Sequence, residues 1–102
     1  MVLPILNKAS LLQQLHQHKR QLRSFGIKRL DLFGSFVKDL VGANSDVDLL
    51  VEFEEGKKSY DNFMDLSFYL ESITGRKVEL ITPQSLNKYL GPYILKEAEH
   101  VF

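Results

Sequence analysis

A Gly-Ser pair and two closely spaced carboxylates carry the most chemical information in this chain. Gly34 and Ser35 follow a strand-like run that ends at Phe33, and ten further residues separate them from Asp46-Val47-Asp48. Glycine lets the backbone come close to a phosphate, and serine adds a hydroxyl and an amide donor. In an extended segment, side chains alternate between faces, so Asp46 and Asp48 share a face. The spacing therefore predicts a site for a nucleoside triphosphate and its magnesium ion.

The two carboxylates would repel each other. At a separation of about 5 Å and an effective dielectric constant near 20, the repulsion is roughly 3 kcal/mol. A divalent cation would offset it, and Mg²⁺ commonly binds one or two carboxylates together with substrate phosphates. Each part of the pattern also has an ordinary interpretation, since Asp-x-Asp occurs on exposed strands and Gly-Ser is a common turn. Their order, between two strand-like runs, favours the functional interpretation.

The composition predicts one globular domain over residues 1–102. Of the 102 residues, 44% are hydrophobic, which is ordinary for a folded domain. No run of about 18 apolar residues is present to cross a membrane, and residues 1–6 are too short and uncharged for a secretory signal. The chain has no cysteine, which excludes disulfides and thiolate metal sites and is compatible with a cytoplasmic protein.

Charge is unevenly distributed although the formal net charge is zero. Residues 1–38 carry seven Lys and Arg against the single acid Asp31, whereas residues 39–81 carry ten acids against four bases. The basic third would attract a phosphate or an acidic partner, although a solvated helix face is the better explanation for most of its positions. A sequence pI near 6.8 argues against direct nucleic-acid binding, which usually needs a strongly basic domain.

The hydrophobic pattern predicts alternating helices and strands. Apolar spacing indicates helices at 7–23 and at about 59–74, the second capped by Ser59 or Asp61 and ended by Gly75. Alternation indicates strands at 27–33, 47–54 and 77–82. A short helix is expected at 36–40, two short helical pieces, separated by Gly91-Pro92, are expected after Pro83, and the tail 97–102 is expected to expose an apolar end.

A third acid completes the predicted site. In the strand at 77–82, Val78 and Leu80 face one side, while Glu79 and Ile81 face the other. If this strand lies beside the strand that carries Asp48, Glu79 joins the other acids over the same pocket. Without that neighbour, Glu79 is an ordinary exposed strand acid.

The Gly34-Ser35 pair, the ten-residue spacing and Asp46-x-Asp48 resemble the minimal nucleotidyltransferase family, relatives of the DNA polymerase beta superfamily. The resemblance spans about residues 27–102, with 76–82 similar to the family's third-acid strand and 97–102 similar to its closing segment. It implies an α+β (α/β) nucleotidyltransferase fold, in which a small mixed β-sheet is flanked by α-helices.

The same resemblance implies roles for individual residues. ATP or another nucleoside triphosphate would be the donor with two Mg²⁺ ions; Gly34 and Ser35, with Lys38, would hold the triphosphate. Asp46, Asp48 and Glu79 would bind metal and act in catalysis, the third acid also helping to deprotonate the acceptor hydroxyl.

Three positions differ from the pattern usual in the family. Lys38 stands where arginine is common, and it keeps the charge but loses the planar fork. Asp39 stands where glycine is common, so we expect added negative charge near the phosphates and less backbone freedom. Glu79 replaces the usual aspartate and reaches one methylene further.

Such domains are often antitoxins paired with a HEPN-domain ribonuclease toxin. The resemblance therefore implies a hetero-oligomer with that toxin and transfer of AMP to one of its tyrosines. Two alternatives remain: an antitoxin that blocks its toxin by contact alone, through the apolar C-terminal pieces, and a nucleotidyltransferase acting on a small molecule or RNA.

Overall fold

A four-stranded mixed sheet organises the computed structural model, which describes residues 3–89 and 91–102. The elements, in chain order, are α1 (Lys8–Gln17), α2 (Lys19–Arg23), β1 (Ile27–Phe33), a 3₁₀ turn (Gly34–Phe36), β2 (Val47–Phe53), α3 (Tyr60–Thr74), β3 (Val78–Ile81), a second 3₁₀ turn (Pro83–Ser85), α4 (Gly91–Glu97) and β4 (Glu99–His100). The strands lie in the order β3-β2-β1-β4. β1 is antiparallel to β2 and β4, whereas β2 and β3 are parallel. This confirms the predicted fold class.

One face of the sheet forms the hydrophobic core because apolar residues alternate along the strands. Leu30 and Leu32 of β1 and Leu49 of β2 are fully buried, as are Leu11 and Leu15 of α1. The side chains between them, such as Asp31, Asp48 and Glu79, point to the opposite face. The sheet therefore separates an apolar layer from a face that carries carboxylates.

Helix α3 begins and ends where the sequence indicates. The Ser59 side chain accepts a hydrogen bond from the Asn62 amide at 3.1 Å, which satisfies one of the free amides of the first turn. Gly75 ends the helix in the left-handed conformation, with φ of 67°. Because α3 carries the chain back across the sheet, β3 can lie parallel to β2.

The predicted helix at 7–23 is interrupted at His18. This residue has φ of −102° and ψ of 15°, which leaves helical geometry, and its Nδ1 donates to the Gln14 carbonyl at 2.9 Å. The chain then continues as the short α2. Periodicity alone does not detect such a break, because Leu15 and Leu22 on either side are both buried in the core.

The predicted short helix at 36–40 is wrong. The chain forms a single 3₁₀ turn at Gly34–Phe36 and continues as a turn to Asp39. Asp39 has φ of 55°, and a residue in the left-handed region cannot continue a right-handed helix.

The C-terminal predictions need two corrections. The first predicted helical piece is only a 3₁₀ turn at Pro83–Ser85. Gly91-Pro92 does not separate two helices but begins α4, because proline is well suited to the first turn of a helix. The predicted apolar position Leu90 lies outside the described residues. The tail does not expose an apolar end, because Val101 and Phe102 are 7% and 8% exposed. Hydrogen bonds of 2.9 Å to the Leu30 backbone hold both residues against β1.

None of the helices at 3–89 and 91–102 is long and apolar enough to cross a membrane.

The two faces of α3 should respond differently to truncation. Leu66 is 0% exposed and Phe68 is 60% exposed, so Leu66→Ala should lower the free energy of unfolding by about 2–5 kcal/mol. Phe68→Ala should change it by about 0.5 kcal/mol or less. Urea denaturation of both variants measures the difference, and equal losses would contradict the assignment of the buried face.

Candidate active site

Strand register brings the separated parts of the motif together around Asp48. In the antiparallel β1–β2 pair, Phe33 lies opposite Asp48, so the Gly-Ser turn begins beside this carboxylate. In the parallel β2–β3 pair, Glu79 lies opposite Asp48 on the other side. Asp48 is therefore flanked by the turn on one neighbouring strand and by the third acid on the other, so the condition that the sequence analysis placed on Glu79 is met.

Gly34 has no room for a side chain. Its φ is 78°, in the left-handed region, and a Cβ there would overlap Asp48 Oδ2 and lie only 3.0 Å from Asp48 Cγ. The glycine thus permits both the turn and the close approach of the carboxylate to the backbone.

The acids of the site act on one another electrostatically. Burial, then the negative charge and a hydrogen bond of Glu79, and finally the charge of Asp46 raise the pKa of Asp48 to about 6. Near neutral pH, the pair formed by Asp48 and Glu79 therefore holds negative charge in a partly desolvated place, which favours binding of a cation.

These carboxylates suit Mg²⁺, which prefers oxygen ligands. Within residues 3–89 and 91–102, no group of three His, Cys, Asp or Glu side chains is arranged to hold a metal ion by itself. The fit is instead to a Mg²⁺ ion that takes one or two carboxylates and completes its shell with water and substrate phosphates. Asp48 with Glu79 and the adjacent Asp46 would supply those carboxylates.

The other predicted phosphate-binding residues differ in their surroundings. Ser35 is half-buried in the turn that begins next to Asp48, and its hydroxyl has no hydrogen-bond partner in the described part of the chain. Lys38 is exposed and forms an ion pair with Glu97 of α4, with 3.4 Å between Nζ and Oε1. The structure therefore joins Lys38 to α4, and its role toward phosphate stays a prediction.

Asp39 does not behave as the sequence suggested. Although it replaces a glycine common in the family, it still adopts the left-handed conformation, with φ of 55°, which aspartate tolerates better than most residues. Its Oδ1 accepts a hydrogen bond of 2.9 Å from the Lys8 amide at the start of α1. Its negative charge is thus used at a helix N-terminus, where it is favourable.

Known proteins match this chain in sequence and in structure. Residues 15–100 match the family model described as a nucleotidyltransferase domain. The chain belongs to the nucleotidyltransferase domain family. The protein adenylyltransferase MntA of Thermococcus cleftensis is 39% identical over 88 residues, which are 85% of this chain and 88% of that relative. A Methanocaldococcus jannaschii protein, also named as a protein adenylyltransferase, is 38% identical over 87 residues, 83% of this chain and 84% of the relative.

Solved structures confirm the nucleotidyltransferase fold. A minimal nucleotidyltransferase superposes with a TM-score of 0.70 at 31% identity, covering 85% of this chain and 92% of that one. A structure of a tri-AMPylated HEPN toxin with an MNT antitoxin from Shewanella oneidensis matches with a TM-score of 0.66 at 17% identity, covering 90% of this chain and 71% of that one. At that identity, the second likeness shows the fold alone.

Sequence reasoning missed a polar cluster on the sheet face that carries the candidate active site of this nucleotidyltransferase. Asp31 is buried on the same sheet face as Asp48, and it accepts hydrogen bonds from Arg29 Nε at 3.1 Å and from His100 Nδ1 at 3.0 Å. His100 belongs to β4, so the contact helps to hold this short strand on β1. No local sequence signal joins residues 31 and 100, because only strand pairing brings them together.

The site lies on an open sheet face. A cavity of about 520 Å³, lined by Tyr60, Phe63 and Leu80 among others, is at the other end of β3 and contains none of the three acids. The cavity is therefore separate from the three predicted catalytic acids.

Substitution of Gly34 should separate backbone strain from damage to the site. Gly34→Ala and Gly56→Ala both place alanine at φ of 78°, but a Cβ at Gly56 meets nothing within 4 Å. Both variants should lose about 1–2 kcal/mol of unfolding free energy, and Gly34→Ala should lose more because it displaces Asp48. Only Gly34→Ala should abolish nucleotidyl transfer, and a fully active Gly34→Ala protein would disprove the close contact.

The pKa of Asp48 predicts a pH-dependent stability for the metal-free protein. Since the pKa is raised from 3.8 to about 6 on folding, the folded state holds the proton more tightly than the unfolded state. The stabilisation is complete below about pH 4 and is lost as the pH rises through about 6. Asp48→Asn should therefore be more stable than the wild type at pH 8 and nearly equal to it at pH 4.

Urea midpoints measured in EDTA at the two pH values test this expectation. Asp65→Asn, on the exposed surface of α3, is the control and should show no such pH-dependent gain. A gain for Asp48→Asn that is the same at both pH values would show that Asp48 titrates normally.

Proposed function

We propose that this nucleotidyltransferase is an antitoxin that transfers AMP from ATP to a tyrosine hydroxyl of a partner HEPN ribonuclease toxin and thereby neutralises it. ATP is the substrate, and two Mg²⁺ ions are the proposed cofactors. A hetero-oligomer with the toxin follows from this proposal.

The arrangement around Asp48 carries the proposal. Its carboxylate lies between the Gly34 turn and Glu79, and its raised pKa reflects burial and unfavourable negative charge. Such a site gains from a cation and from the phosphates that accompany it. Asp48 and Glu79 lie on the same face of the sheet, so a large acceptor, such as a side chain of another protein, can approach them from that face.

The names of the similar proteins indicate the class of acceptor substrate. Two proteins with 38–39% identity are named as protein adenylyltransferases, which supports transfer of AMP to protein. The antitoxin with the same fold is bound to an AMPylated HEPN toxin, which supports a partner of that class. The tyrosine acceptor and the second metal ion are expected from the family resemblance, and they are part of the proposal.

The proposed reaction is an in-line displacement at the α-phosphorus. The acceptor oxygen forms a bond to that phosphorus, the bond to the bridging oxygen of the β-phosphate breaks, and pyrophosphate leaves. Bound Mg²⁺ supplies stabilisation of the negative charge on the entering and leaving oxygens. Asp46, Asp48 and Glu79 would hold the metal, while the Gly34-Ser35 turn would donate hydrogen bonds to phosphate oxygens. Glu79 is our candidate to receive the acceptor proton, and Lys38 our candidate for an additional phosphate contact.

A non-catalytic antitoxin is the second candidate, and the surface of α4 would form its contact with the toxin. Tyr93 and Leu95 are 70% and 58% exposed, and Tyr89 just before the helix is 72% exposed. Exposed apolar side chains of this size are suited to a protein interface. These side chains could contact the toxin whether or not the antitoxin is an enzyme. An assay for covalent transfer of AMP therefore distinguishes the two candidate functions.

Removal of each acid should abolish AMP transfer without unfolding the protein. Asp46→Ala and Asp48→Ala each remove a metal ligand and relieve repulsion, so activity should fall by at least about a hundredfold while the circular dichroism spectrum is kept. Glu79→Gln should lower kcat more than it weakens ATP binding. Asp65→Ala, on exposed α3, is the control and should be fully active.

Intact-mass spectrometry of the partner toxin, incubated with this protein, ATP and magnesium, measures the transfer. The expected result is a toxin heavier by whole AMP units, with the modified tyrosine found by peptide mapping. Toxin inhibition without added mass would establish the non-catalytic alternative. Full transfer by Asp48→Ala would refute the proposed site.

A further inference from the structure

Arg76 is a buried cation whose hydrogen bonds go to backbone carbonyls. It is 8% exposed, and among the described residues no carboxylate forms an ion pair with it. Its Nε donates to the Ile5 carbonyl at 2.6 Å, and its NH1 donates to the carbonyls of Gly42 at 3.0 Å and Ser45 at 2.8 Å. A charge this deeply buried is costly unless it is compensated, and here the compensation comes from one loop and the N-terminal segment.

The loop held by Arg76 leads directly into Asp46. Residues 40–46 form no helix or strand, and Gly42 and Ser45 close the loop on itself through a 2.8 Å bond from the Gly42 amide to Ser45 Oγ. Arg76 binds the carbonyl just before Asp46, and the carbonyl of Lys77 accepts a 2.9 Å bond from the Val47 amide just after it. The backbone on both sides of Asp46 is thus fixed by two consecutive residues before β3.

Arg76 also contacts the other half of the motif. Its guanidinium carbon lies 5.4 Å from the centre of the Phe36 ring, and Phe36 is fully buried in the 3₁₀ turn that starts at Gly34. A guanidinium at this distance is attracted to an aromatic ring. One side chain therefore links the Gly-Ser turn with the loop that presents Asp46.

We propose that Arg76 is a positioning residue that holds the Asp46 loop against the Gly-Ser turn, so that Asp46 and Asp48 face one divalent cation together. This inference rests on the proposed function, because it assumes that the acids bind a metal ion. Arginine is needed because its planar fork donates from separate nitrogens to the Ile5 and Ser45 carbonyls, whereas lysine offers a single point charge.

Variants of Arg76 test the proposal through metal binding and amide exchange, independently of catalysis. Arg76→Gln removes the charge and the fork, and Arg76→Lys keeps only the charge. Asn62→Ala is the matched control, because Asn62 also bridges two backbone carbonyls, those of Phe25 and Lys57, in a turn that carries none of the three acids. All proteins are studied at a temperature at which urea denaturation shows each to be folded.

Titration of the nucleotide-free proteins with Mn²⁺, followed by electron paramagnetic resonance, should show about 10–100-fold weaker binding in both Arg76 variants, as is typical when a group that orients a metal ligand is lost. Amide hydrogen exchange should be faster at Val47 in these variants, because its bond to the Lys77 carbonyl depends on the loop being held. Asn62→Ala should bind Mn²⁺ as the wild type does and keep slow exchange at Val47.

The outcomes distinguish this inference from the proposed function. Wild-type affinity for Mn²⁺ in Arg76→Gln or Arg76→Lys would overturn the positioning role, as would equally weakened binding in Asn62→Ala. If the wild type bound no Mn²⁺ either alone or with a non-hydrolysable ATP analogue, the metal site of the proposed function would fail and the inference would fall with it, even if the exchange data still showed the loop to be held.

Discussion

The parallel pairing of β2 with β3 is the constraint on which the site depends, because it places Glu79 beside Asp48. Burial, with the charge and hydrogen bonding of Glu79, raises the pKa of Asp48 to about 6. Folding alone would favour separating these groups. The sheet prevents this, since Val47 and Leu49 on either side of Asp48 are fully buried in the core. The packing of the apolar face thus enforces the concentration of charge on the opposite face.

The Gly-Ser turn is constrained by the same carboxylate from the other side. Antiparallel pairing sets Phe33 opposite Asp48, and the next residue must both reverse the chain and leave space for Asp48 Oδ2. Only glycine meets both requirements at a φ of 78°. Motif residues that are distant along the chain therefore meet because a single residue, Asp48, has a neighbour on each adjacent strand.

The departures from the usual family pattern are accommodated by contacts elsewhere in the fold. Asp39 keeps the left-handed conformation and binds the first amide of α1, so its charge stabilises a helix start. Lys38 is paired with Glu97 of α4, an exposed contact of small energetic value that a ligand can displace. These changes alter the rim of the site and leave the arrangement of Gly34, Asp48 and Glu79 intact.

Local features could be predicted from the sequence: the strand limits around β1 and β2, the caps of α3 and the need for glycine at position 34. These depend on backbone alternation and local hydrogen bonds, which neighbouring residues specify. Tertiary structure alone decided that Glu79 lies opposite Asp48, that Arg76 holds the loop before Asp46, and that Val101 and Phe102 are buried beside β1. Those contacts join segments some thirty to seventy residues apart, and their register is set by the packing of the whole sheet, which no local pattern encodes.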